Sequence, residues 1–165
     1  MEAILDWNVI ATGLAAPVAV LVVKTLLDFS LAHYFVQWFS WIPTRGLFRH
    51  RYQNLKGEWE QVWGAAGSES FKDEIDRHSY TEIKQFGSYC YAEFKSKGIT
   101  YSVFGKIRNS YLFGEWYDKN DRYAYYGAFQ LRIVDSNSLE GKFVGHSKKT
   151  CEVKQDSWVW NKVAN

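Results

Sequence analysis

Residues 123–134 read Tyr123-Ala124-Tyr125-Tyr126-Gly127-Ala128-Phe129-Gln130-Leu131-Arg132-Ile133-Val134, and their alternation decides the fold. Tyr123, Tyr125, Gly127, Phe129, Leu131 and Ile133 share one parity, while Ala124, Tyr126, Ala128, Gln130 and Arg132 share the other. Strand side chains alternate between the two faces of a sheet, so the first set is expected to face an interior and the second to face solvent. The same alternation recurs downstream, where Leu139, Gly141 and Phe143 oppose Glu140, Lys142 and Val144.

Working outward, the chain from Leu47 to its end contains no proline and no helical period. Short runs rich in Tyr, Phe, Val and Trp are separated by Gly, Asn, Asp, Ser and Lys, a spacing that predicts a sandwich or barrel. The expected strands are Gly57–Trp63, Ser70–Ile75, Ser79–Phe86, Tyr89–Lys95, Tyr101–Ile107, Tyr111–Tyr117, Tyr123–Val134, Leu139–Ser147 and Cys151–Trp160. Arg108–Ser110, Asp118–Arg122 and Asp135–Ser138 carry hairpin-turn residues. A Gly-x-aromatic spacing appears at Gly57-Glu58-Trp59, Gly114-Glu115-Trp116 and Gly141-Lys142-Phe143, and glycine within a strand marks tight bends at barrel corners. The expected fold is an all-β small antiparallel barrel of about eight strands, up-and-down, preceded by N-terminal transmembrane α-helices. The expected organisation is a membrane segment over 1–43, a basic linker over 44–56 and a barrel over 57–165.

The inward candidates are Trp59, Gln61, Trp63, Tyr91, Glu93, Tyr101 and Tyr125. The interior of an eight-stranded barrel is either filled by side chains or holds one small ligand. Rings with polar tips suit a lined cavity, whereas rings that simply fill the barrel are the plain structural alternative.

From Trp7 to Ile42 the chain is nearly all apolar, interrupted by Lys24, Asp28 and His33. Division at Lys24 leaves Trp7–Val23 and Thr25–Ile42, each near the short end of the range of roughly 17–25 residues that span a bilayer. The acidic start, with Glu2 and Asp6, argues against a secretory signal. Two short spans are expected, although a single tilted helix with a Lys24–Asp28 pair stays open. Arg45, Arg49, His50, Arg51 and Lys56 follow Pro43 without an acid, which orients the barrel to the cytoplasm. Ser30, His33, Gln37 and Ser40 would share one face of the second span, either as interhelical hydrogen bonding or as an oligomer seam.

The 165 residues are 47% apolar and 18% aromatic, and the net charge is +2. That charge is too small to indicate a DNA or RNA polymer as partner. It divides unevenly, because residues 1–43 hold one lysine and three acids while the remainder holds 19 basic and 15 acidic residues. Two cysteines, Cys90 and Cys151, allow neither a disulfide framework nor a four-ligand zinc site. No catalytic motif, phosphate-binding glycine loop or metal-ligand spacing is present, so neither an enzyme nor a cofactor is expected. Arg108, Arg132 and Lys142, with Lys106, are candidate partners for ligand phosphates, and the rings are candidate stacking surfaces for nucleobases. The expected ligand-binding set is Trp63, Tyr91, Tyr101, Arg108, Tyr125, Arg132 and Lys142.

A pair of apolar helices, a basic junction and a small aromatic-rich barrel opening with Leu55-Lys56-Gly57-Glu58-Trp59 resemble the two-transmembrane, β-strand-rich effectors of bacterial cyclic-oligonucleotide-based antiphage signalling (CBASS). The resemblance is architectural and covers nearly the whole chain. It implies a multi-pass protein of the bacterial inner membrane whose barrel binds a cyclic dinucleotide made by a partner nucleotidyltransferase. Binding would drive homo-oligomerisation, and the helices would disrupt the lipid bilayer and kill the infected cell. A membrane-tethered lipocalin-like carrier of a lipid or hydrophobic molecule and an inert anchored scaffold remain alternatives.

Overall fold

The computed structural model describes residues 15–22, 31–43, 52–65, 73–121, 123–147 and 151–163. The chain divides into two compact units, Met1–Phe35 and Val36–Asn165. Residues 15–22 are helical (α1), and a second helix (α2) runs over Ala32–Phe39. The helix ends at Phe39, short of the expected Ile42, because Pro43 disfavours helical backbone at the residue before it. A turn follows in which the Ile42 N–H donates to the Phe39 carbonyl (3.1 Å). Among the described residues no helix is long and apolar enough to cross a membrane. Much of the two expected spans, Trp7–Val23 and Thr25–Ile42, lies outside the described residues.

The second unit holds a closed eight-stranded barrel in which every strand pairs antiparallel with its sequence neighbour. The strands are β1 Gly57–Trp63, β2 His78–Phe86, β3 Tyr89–Ser96, β4 Ile99–Arg108, β5 Tyr111–Asp118, β6 Tyr125–Ile133, β7 Ser138–Ser147 and β8 Val153–Lys162. β8 closes on β1 through Trp59↔Lys162 to Trp63↔Trp158, so no edge strand is left to template aggregation. The Lys97-Gly98 turn between β3 and β4 has positive φ at both residues (50° and 77°). That geometry matches the right-handed strand twist.

Three expectations are corrected. Ser70–Ile75 is not a strand where it is described, since Asp73 is extended and Glu74–Arg77 form a 3-10 turn. Its clustered carboxylates favour a solvated turn over a half-buried ladder. Tyr123 does not join the interior set; it precedes β6 and is 88% exposed. Tyr91 and Glu93 face outward, because on β3 the alternate residues Cys90, Ala92 and Phe94 belong to the core. Small side chains are needed at Cys90 and Ala92 to make room for rings from other strands.

The core is graded along the barrel axis. At the end where the chain approaches β1, Leu55, Ile83, Ile107, Leu112, Leu131, Ile133 and Leu139 form an aliphatic floor. Leu55 is fully buried and stoppers this end. Its N–H donates to Gln85 Oε1 (2.9 Å), and its carbonyl accepts the Trp59 indole N–H (2.8 Å). Gln85 Nε2 donates to the Gln53 and Gly87 carbonyls (3.0 and 2.9 Å). The sequence buries a glutamine there because every arm of its amide holds main chain. We call this the closed end and the opposite one the mouth.

Candidate functional site

Towards the mouth the core turns from aliphatic to aromatic. Phe94, Tyr101, Trp116, Phe143 and Trp158 form a circuit around the lumen, with successive ring centroids 5.2, 5.9, 6.1, 5.8 and 6.1 Å apart. Such edge-to-face and offset pairs add about 0.5–1.5 kcal/mol each beyond their buried area. Phe129 and Trp160 pack beneath Trp158 at 5.6 and 5.4 Å. Rings therefore fill the lower lumen. Higher up, Trp63, Trp116, Tyr125 and Phe143 are only half-buried and present ring surface at the mouth. Trp63 leans on Phe94 at 5.3 Å.

Glycines make this arrangement possible. A Cβ at Gly127 or Gly145 would lie 2.6 Å from atoms of the Trp116 indole, so the ring rests directly on main chain. Trp116 Nε1 donates to the Val144 carbonyl at 3.3 Å, which fixes the plane of the ring.

The polar groups fall into three places. Inside the barrel, fully buried Gln61 accepts the Trp158 indole N–H on Oε1 (2.9 Å). Its Nε2 and the Trp160 Nε1 next to it on β8 are buried donors without an acceptor among the described residues. Each costs about 1–3 kcal/mol in that state, so this spot suits an oxygen acceptor. At the mouth, burial and then the Asp118 carboxylate push the Tyr101 phenol well above the ordinary tyrosine range, keeping it a neutral hydroxyl. Asp118 accepts the Asn120 and Asp121 N–H groups (2.8 and 3.3 Å) and so shapes the turn after β5.

The third place is the outer wall, where Tyr91, Ser102 and Tyr117 are buried although they lie outside the barrel core. The Tyr91 hydroxyl donates to Glu93 and stands 3.4 Å from Ser102 Oγ. Burial raises its pKa above the usual range. Glu93 also takes the Lys119 ammonium at 2.8 Å. Burial pushes the Glu93 carboxyl up, but hydrogen bonds from Lys119 and Tyr91 outweigh it and hold the group below its ordinary value.

The seven expected ligand residues are thus not brought together. Trp63, Tyr101 and Tyr125 converge at the mouth. Tyr91 is on the outer wall with Glu93. Arg108, Arg132 and Lys142 are exposed, with their neighbours Ile107, Leu131 and Phe143 turned towards the core. Arg108 ends β4 and Arg132 nearly ends β6, both at the closed end. Among the residues of the expected seam, Ser30 lies outside the described residues. His33 and Gln37 are half-buried on α2, with the His33 ring 3.8 Å from Tyr34. Ser40 has left the helix, and its carbonyl accepts the Lys56 ammonium. Sequence reading missed Trp116, Phe143 and Trp158 as mouth and lumen rings. The Gly-x-aromatic spacing at Trp116 and Phe143 was the signal for two of them. Cys90 is buried, and burial pushes its thiol far up, away from nucleophile chemistry. Among the described residues no cluster of His, Cys, Asp and Glu could hold a metal.

No family model matches the chain, and no curated protein matches it. Among solved structures it is similar to a redesigned beta barrel, mFAP1, bound to DFHBI. The two are 9% identical with a TM-score of 0.42, over 64% of this chain and 93% of that one.

Proposed function

We propose that the barrel is the sensor of a membrane-associated antiphage effector, and that its mouth receives a cyclic dinucleotide made by a partner nucleotidyltransferase. The observation that carries this reading is the half-buried ring layer of Trp63, Trp116, Tyr125 and Phe143 above a filled lumen. Such a layer is a stacking floor for planar bases, each worth about 1–3 kcal/mol on an aromatic platform. The opposite end is stoppered by Leu55, which leaves the mouth as the approach. Ligand bound at the mouth favours whichever association state binds it more tightly. In this reading that state is a homo-oligomer, and the apolar N-terminal residues act on the inner membrane. The test is calorimetric titration of the full chain in lipid nanodiscs with a panel of cyclic di- and trinucleotides. Saturable heat with at least one member is expected, and silence across the panel overturns the reading.

One observation favours a second reading. Lys97, Lys119 and Lys154 near the mouth are each paired with an acid, Asp76 (2.7 Å), Glu93 (2.8 Å) and Glu152 (3.1 Å). An apolar floor beside neutralised cations suits a neutral hydrophobic ligand, as in a lipocalin-like carrier. Saturable binding of a fatty alcohol with no nucleotide response would select it.

A further inference from the structure

The mouth uses none of the cations on the outer wall at the closed end, and these form a pattern of their own. Two outward rows run across β4–β7 in register: Arg108↔Tyr111↔Arg132↔Glu140 and Lys106↔Phe113↔Gln130↔Lys142. With strands about 4.8 Å apart, each row is roughly 14 Å wide, and the rows lie about 7 Å apart along the strands. The result is a convex wall, curved with the closed barrel, with four cations, one acid and two rings. Tyr111 and Phe113 are 40% and 39% exposed among the charges, where an ordinary solvated face would carry polar residues. Glu140 is engaged by Arg132 at 3.7 Å, and Lys106 lies 4.9 Å over the Tyr89 ring.

A second feature lies at the same end of the barrel, on its β1 side. The chain approaches the closed end through Lys56, whose ammonium binds the Ser40 carbonyl. Ser40 lies in the turn between Trp38, in the last turn of α2, and Trp41, which are 67% and 74% exposed. Exposed indoles beside cations are the composition of a membrane–water interface. The intervening sequence adds Arg45, Arg49 and Arg51 with no acid. At the mouth end Lys97, Lys119 and Lys154 are each paired with an acid.

We propose that the closed-end wall of β4–β7 is a docking face for a bilayer surface rich in anionic headgroups, with Lys106, Arg108, Arg132 and Lys142 on the phosphates and Tyr111 and Phe113 at the interface. Cations spread over four strands and splayed by the barrel's curvature match many separate phosphates rather than one small anion. Each cation held near an anionic surface is worth about fivefold in partitioning.

The test uses the full chain with Cys151→Ser and a nitroxide on Tyr111→Cys, in phosphatidylcholine vesicles with or without phosphatidylglycerol. Buried Cys90 stays unlabelled. Accessibility to an aqueous nickel chelate is the readout, and no nucleotide is added, so the outcome is independent of the mouth reading. The label becomes shielded when phosphatidylglycerol is present, whereas a label on Lys95→Cys at the mouth end stays aqueous. Arg108→Gln with Arg132→Gln weakens the shielded state by about 30-fold, and Lys142→Gln alone by about fivefold. The second variant keeps the test intact if the first fails to fold. A Tyr111 label equally wet in both vesicles overturns the proposal. So does a shielded Lys95 label, or shielding by a DNA duplex with none from phosphatidylglycerol.

Discussion

Gly127→Ala is the most exacting test of the barrel interior. An added methyl would stand 1.9 Å from the Val144 carbonyl oxygen and 2.6 Å from Trp116 Nε1. Relaxed carbon–oxygen contacts begin near 3.3 Å, so β6 and β7 would have to part by roughly 1.4 Å. That separation breaks the two ladder hydrogen bonds nearest the pair, worth about 1 kcal/mol each. Displacing the Trp116 ring adds an overpacking cost of about 1–3 kcal/mol. The sum is a loss of about 3–5 kcal/mol, a large share of the 5–15 kcal/mol that holds a typical domain together. The assay is urea unfolding of the full chain in mild detergent, followed by near-ultraviolet circular dichroism of the buried tryptophans. With a slope of about 2 kcal/mol per molar, the midpoint falls by roughly 2 M. Gly98→Ala is the control. It meets no atom within 4 Å and bears only the strain of its φ of +77°, about 1–2 kcal/mol. A Gly127→Ala midpoint no lower than that of Gly98→Ala would refute the claim that Trp116 rests on main chain.

Two further outcomes follow from the stopper and the outer wall. Leu55→Ala empties the closed end and lowers stability by about 2–5 kcal/mol in the same urea assay, while a merely solvated Leu55 would give almost no change. The Glu93 carboxyl titrates below its ordinary value in the fold. Its contribution to stability is therefore complete above the unfolded-state pKa and is lost as pH falls through the lower folded-state value. Glu93→Gln removes that acid-side slope, so wild type and variant should converge as melting is followed from about pH 6 down to pH 3; parallel curves would show that Lys119 and Tyr91 do not stabilise the ionised form.

Much of the barrel was legible because its physics is local. β1 falls on Gly57–Trp63 as expected, and the other strands end within about two residues of their expected limits, because alternation and turn residues are written into each segment. Phe129, Leu131 and Ile133 face inward for the same reason. The facing of β3 was not legible. Tyr89 to Ala92 alternates large with small, and size alone favours the tyrosines as core. The small set is inside because rings such as Phe129 and Trp158 from other strands occupy the space, a constraint that appears only when the sheet closes. The mouth was half legible: Trp63, Tyr101 and Tyr125 were recognisable as rings of inward parity, whereas the circuit through Trp116, Phe143 and Trp158 depends on cross-strand register. Separation of the cations from the rings was implicit in parity, since Arg132 and Lys142 alternate with Leu131 and Gly141.

The central claim is that the mouth, and not the basic outer wall, receives a cyclic dinucleotide. Titration of the nanodisc-embedded full chain with the nucleotide panel tests it most directly when three forms are compared: wild type, Trp63→Ala with Tyr125→Ala, and Arg108→Gln with Arg132→Gln. The account predicts saturable binding by wild type, binding weakened at least tenfold by loss of the two mouth rings, at about 1–3 kcal/mol for each base stack, and binding unchanged by loss of the two arginines. No binding by wild type to any member, or loss of binding in the arginine variant with the mouth variant intact, would contradict it.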